Sequence, residues 1–203
     1  MSLDVYLAYV VACFVIAIVP GPTVTVIVAN SLGYGARAGL ANVAGTQVGL
    51  ALLMGTLIVG LSTVIAVMGV WFDWLRIAGA LYLVWLGWKL LRSPDQLGAP
   101  GSAPAPRGGF FLQGLLVILS NPKAMLWFGA FIPQFVDPAG DYVAQIVLLG
   151  VTAMAVALVS DGAYAVLTGR AGALLSRSRA RLVSRLSGAF LVGGGIWLAL
   201  TRR

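Results

Sequence analysis

The sequence predicts an all-α integral membrane protein: six transmembrane helices arranged as two inverted three-helix repeats, with helices 1 and 4 broken at Pro. Three observations predict it. Over 203 residues, 60% are apolar and 9% charged, against about 45–50% and about 25% in soluble domains. Apolar runs of bilayer length, about 20 residues each, recur along the chain. Prolines interrupt the first such run of each half. Thirteen Lys and Arg and six Asp cannot clothe a water-soluble fold of this size.

The spans are expected at 5–29, 40–66, 70–91, 110–135, 143–168 and 183–200. Span 1 follows Met1-Ser2-Leu3-Asp4. That start lacks the positive charge and cleavage site of a signal peptide, so span 1 is expected to stay. Within it, Pro20 and Pro22 flank Gly21. Each proline removes a backbone donor and clashes with the preceding turn, so the helix must break or kink there. Span 2 carries Asn42 and Thr46 on one face, with Gln47 adjacent. Its small-xxx-small pairs Gly35/Gly39 and Gly45/Gly49 read as close helix packing.

Span 3 opens on Trp71 and Trp74, which suit an interfacial aromatic belt. Residues 93–109 hold Pro94, Pro100, Pro104 and Pro106 among Gly, Ala and Ser, the composition of a flexible linker. They separate a first three-helix repeat, 1–92, from a second, 110–203. Span 4 breaks at Ser120-Asn121-Pro122-Lys123, span 5 contains Asp161, and span 6 follows the basic run Arg177 to Arg185. Arg76, Gly79, Ala80 and Trp88 recur as Arg185, Gly188, Ala189 and Trp197, an offset of 109. Three spans per repeat is odd, so the second copy enters the bilayer from the opposite side, as in many secondary transporters.

What the chain lacks narrows its chemistry. It has no His and no Glu, and Cys13 is its only cysteine. No intramolecular disulfide, Cys/His zinc site or histidine triad can form, and no cofactor is expected. An enzyme is disfavoured for the same reason. The net charge of +7 sits beside apolar runs, which points to topology and anionic lipid rather than nucleic acid. With both termini outside, inner loops hold Arg37, Lys89, Arg92, Arg107, Arg170, Arg177, Arg179, Arg181 and Arg185, and the outer side holds Arg76, Arg202 and Arg203. That asymmetry favours extracytoplasmic termini, although a five-span chain would upset it. A homo-oligomer is neither required nor excluded.

Two breaks and two charges carry the functional reading. A broken helix in hydrocarbon survives only against protein or a water-filled cavity, and transporters bind substrate at such breaks. Candidate substrate contacts are therefore Pro20, Gly21, Pro22, Thr23, Asn42, Thr46, Gln47, Asn121, Pro122 and Lys123. A charge at a helix centre costs about 2.5–3.5 kcal/mol even on the lenient insertion scale. Asp161 is thus the candidate proton-coupling residue, able to carry a proton or hold an ammonium group. Lys123 can pair with Asp161 or meet a substrate carboxylate. A channel, a membrane-embedded enzyme and an assembly subunit are the competing readings.

These residues together resemble the LysE/RhtB family of amino-acid exporters. The likeness rests on Pro20-Gly21-Pro22, Gly35-Ala36-Arg37-Ala38-Gly39, Gly45-Thr46-Gln47-Val48-Gly49, the Gly79 to Gly87 stretch, Asn121-Pro122-Lys123, Pro133-Gln134-Phe135 and Asp161. It lies in their order and spacing over essentially the whole chain. The resemblance implies a multi-pass inner-membrane protein that expels amino acids or close derivatives, driven by the proton motive force. Distant relatives move other small solutes such as metal ions, for which this chain lacks acidic clusters or a cysteine pair.

Overall fold

A computed structural model describes residues 1–18, 21–59, 61–92, 106–172 and 177–200. Eight α-helices run through them: α1 (Leu3–Ile18), α2 (Pro22–Tyr34), α3 (Ala36–Val59), α4 (Leu61–Arg92), α5 (Gly109–Leu119), α6 (Pro122–Leu126), α7 (Tyr142–Gly172) and α8 (Arg177–Leu200). No strand occurs among the described residues. The Pro20 position and linker residues 93–105 lie outside them, as do the side chains of Trp71, Trp74 and Arg76.

Both expected interruptions are present, each for a local reason. Gly21 is extended and Pro22 opens α2 at its first helical position, where the missing N–H would have no partner in any case. The axes of α1 and α2 differ by 50°. Asn121 is likewise extended, Pro122 opens α6, and the bend there is 52°. Beyond α6 the chain widens into a π turn, Trp127–Phe131, and tightens into a 3-10 turn, Ile132–Phe135. Pro133 cannot donate and would strike a carbonyl one turn back, which the widened turn relieves.

The helices of 24 residues over Ala36–Val59 and 30 over Tyr142–Ala171 are each long and apolar enough to cross a bilayer. Each bent pair also qualifies when counted as one span, giving two to four candidate spans among the described residues. Apolar side chains are exposed along their outer faces, including Leu7, Val11 and Phe14 on α1 and Leu158 and Val159 on α7. That is the surface a lipid-embedded bundle presents.

Backbones approach closely where the sequence places glycine. A Cβ on Gly45 would collide with the Phe111 carbonyl, and one on Gly114 with the Asn42 carbonyl, so α3 and α5 pack backbone to backbone. Gly87 and Gly188 play the same part between α4 and α8. Gly35, at φ +85°, makes the tight turn between α2 and α3, a conformation that disfavours side chains. The main hydrophobic cluster joins α1, α3, α6 and α7 through Tyr9, Cys13, Leu50, Trp127, Phe128, Ile146 and Leu149.

Candidate functional site

Helix ends leave backbone groups without partners, and in lipid these must be met internally. The carbonyls freed where α1 stops are met from the other half of the chain. The Lys123 ammonium donates to the Ile16 carbonyl, and Ser160 Oγ donates to the Ala17 carbonyl at 3.5 Å. Where α2 starts, the Gly21 carbonyl accepts from both the N–H and the hydroxyl of Thr25, each at 2.9 Å. Across the two breaks, Asn121 Nδ2 donates to Thr23 Oγ1 at 2.8 Å, while Asn121 Oδ1 caps α6 by accepting from the Lys123 N–H at 3.0 Å. Gly21 lies against the Lys123 stem; a Cβ there would be 3.5 Å from Lys123 Cδ.

Around this junction lies a cavity of about 110 Å³, several times the roughly 10–15 Å³ that one water needs on the same measure. Gly21, Thr23, Thr46, Asn121, Lys123 and Asp161 reach it. Asp161 is 7% exposed although it sits mid-helix in α7. Lys123 and Asp161 attract one another electrostatically. Thr46 is 1% exposed, and its hydroxyl has no hydrogen-bond partner among the described residues. A buried hydroxyl left so is costly and is what a polar ligand group would satisfy.

Four other expected contacts lie elsewhere. Pro22 and Pro122 are buried as the first residues of α2 and α6 and do not line the cavity. Gln47 is only partly buried and also lies outside it. Asn42 is fully buried in a separate polar cluster. There it accepts from Asn30 Nδ2 at 2.6 Å and donates to the Phe110 carbonyl at 2.6 Å, and Asn30 Nδ2 also donates to Gln113 Oε1 at 2.8 Å. The reason is packing: Gly114 of α5 covers Asn42, which turns its amide away from the breaks.

The apolar wall was not foreseen. Cys13, Leu50, Ile118, Trp127, Phe128 and Val156 supply much of it. The only available signals were spacings: Leu50 lies four residues after Thr46, and Trp127 four after Lys123, each on the same helical face.

Apolar spanning helices, two of them broken, around a buried cavity holding one acid and one base define an integral membrane translocator. The LysE type translocator family matches residues 14–202, and the chain belongs to that family. It is 29% identical over 204 residues, and the full length of both chains, to a Vibrio cholerae protein described as an uncharacterized membrane protein. It is 32% identical over 174 residues to a homoserine/homoserine lactone efflux protein of Salmonella typhimurium, covering 85% of this chain and 84% of that one. It is 36% identical over 136 residues to a leucine efflux protein of Salmonella choleraesuis, covering 65% and 63% respectively. No solved structure gives a significant match.

Proposed function

We propose that this chain is a secondary active exporter of amino acids or close derivatives, coupled to protons, in the cell inner membrane. In this reading α1 with α2, α3 and α4 are three spans, and α5 with α6, α7 and α8 are their inverted counterparts. Both termini are extracytoplasmic and residues 93–109 are a cytoplasmic linker. The contact pattern supports the repeat: α3 packs on α5 as α2 packs on α7, the pairing that exchange of the two halves requires. The names of the Salmonella relatives support the substrate class.

The observation that carries the reading is one cavity, at the meeting of two broken helices, lined by a single acid and a single base among the described residues. In the proposed cycle the zwitterion's carboxylate meets Lys123, Asn121 and the open start of α2, a helix end that favours negative charge. Its ammonium meets Asp161. A proton arriving at Asp161 from outside neutralises the carboxylate, the ammonium leaves, and the emptied carrier returns. One charge crossing 100 mV is worth about 2.3 kcal/mol. At about 1.4 kcal/mol per tenfold, one proton per neutral substrate sustains a gradient of roughly fortyfold.

Everted vesicles carrying Asp161→Asn test it. The variant should insert and fold, retain substrate protection against heat, and lose proton-driven accumulation. Accumulation at the wild-type rate in that variant overturns the coupling role. Absence of amino-acid counterflow in wild-type proteoliposomes overturns the carrier.

A further inference from the structure

We propose that the cavity selects a neutral amino acid with an aliphatic side chain, and that Trp127 and Val156 belong to the wall that sets this choice. The proposal rests on the exporter reading above and names its substrate class.

The charge inventory comes first. Among the described residues the cavity is lined by one carboxylate, Asp161, and one ammonium, Lys123. A zwitterion brings one of each, and the two matches leave no further charge. A lysine or aspartate side chain would carry an extra charge into a buried site with no counterion, which is strongly unfavourable. The polar groups are also gathered on one side. Asn121 is bonded to Thr23, Gly21 lies against Lys123, and Ser160 beside Asp161 reaches the end of α1.

The other wall is continuous with the main hydrophobic cluster. Leu50, Ile118, Trp127 and Phe128 all belong to that cluster, and Val156 packs against it. Trp127 is held in place by its neighbours, stacked on Phe131 at 4.2 Å between ring centroids and tilted against Tyr9 at 5.7 Å. A rigid apolar wall rewards each added methylene of a substrate with about 10-fold or more in discrimination. It gives a side-chain hydroxyl no partner, so homoserine forgoes the methyl contacts and gains nothing for its oxygen.

The test is competition against counterflow of radiolabelled leucine in proteoliposomes holding the full chain. Leucine, isoleucine and valine should compete about tenfold or more better than homoserine, lysine or aspartate. Homoserine or lysine matching leucine overturns the proposal and leaves the exporter reading standing. No exchange of any amino acid by folded protein overturns both. Two variants sharpen the result. Val156→Thr, similar in volume, should narrow the leucine-to-homoserine ratio. Trp127→Ala should admit phenylalanine while weakening leucine. An unchanged ratio in Val156→Thr removes that residue from the wall even if Trp127→Ala fails to fold.

Discussion

Asn121 Nδ2 donates a 2.8 Å hydrogen bond to the hydroxyl of Thr23, so one buried bond ties the broken helix of the first half to that of the second. The same side chain caps α6 through its oxygen. Two substitutions separate these tasks. Thr23→Val removes the tie alone and is expected to cost about 0.6–1.7 kcal/mol, the range of hydrogen bonds between membrane helices. Asn121→Ala also removes the cap, which adds about 1 kcal/mol. Apparent Tm in detergent reads the order: wild type above Thr23→Val above Asn121→Ala. Equal values for all three would mean the breaks hold without the bond.

Glycine identity matters at one place on α3 and not at another. A Cβ on Gly45 would collide with the backbone of Phe111 and Leu115, whereas one on Gly55 meets nothing within 4 Å. Backbone cannot move aside as a side chain can, so Gly45→Ala should separate α3 from α5 and cost about 1–3 kcal/mol or more. Gly55→Ala should be neutral or stabilise by up to about 1 kcal/mol, through the lower entropy cost of alanine in a helix. Thermal melts of the two variants, which add the same methyl group to the same helix, provide the check.

The two breaks and the two buried charges were legible because each violates a strong local rule. Pro20-Gly21-Pro22 cannot continue a helix, and Asp161 and Lys123 do not sit in hydrocarbon without a purpose. Asn42 shows the limit. Helical spacing correctly put it on the face of Thr46, but spacing does not say which neighbour covers each turn. Glycine at 114 brings α5 down over Asn42 and leaves Thr46 open to the cavity. Trp127 and Phe128 were illegible for a different reason. In a chain that is 60% apolar, a residue facing lipid, core or cavity has the same character, and only the fold distinguishes them.

That distinction between Asn42 and Thr46 is open to measurement. Asn42 accepts from Asn30 and donates to the Phe110 carbonyl. Asn42→Ala therefore strands buried groups and should cost about 1–3 kcal/mol in stability, with the half-saturating substrate concentration of the remaining transport unchanged. Thr46 Oγ1 has no protein partner to lose. Thr46→Val should leave Tm within a degree or two and raise the half-saturating concentration several-fold. Transport titrations beside melts on both variants decide the matter, and the reverse pattern would return Asn42 to the binding site.

Outside the bilayer, acid should loosen the loop before α7. The Asp137 carboxyl is held below the usual carboxylate range, first by the Ala139 N–H that donates to it at 3.0 Å and then by the Met1 ammonium at 3.5 Å. A depressed value means that the folded chain binds fewer protons than the unfolded one as pH falls past the ordinary aspartate value of about 3.9. The stabilisation is therefore complete above that pH and disappears as pH falls through the lowered value. Because Asp137 is exposed, solvent screening keeps the effect small. Melting curves from about pH 7 to about pH 2.5 should show wild type above Asp137→Asn at neutral pH and the two converging in acid. Added salt should weaken the Met1 contribution and leave the Ala139 hydrogen bond. A gap between the two proteins that stays constant across the whole pH range would assign the loop's order to Gln145 instead, whose side chain also bonds the Asp137 backbone at 2.9 Å and 3.0 Å.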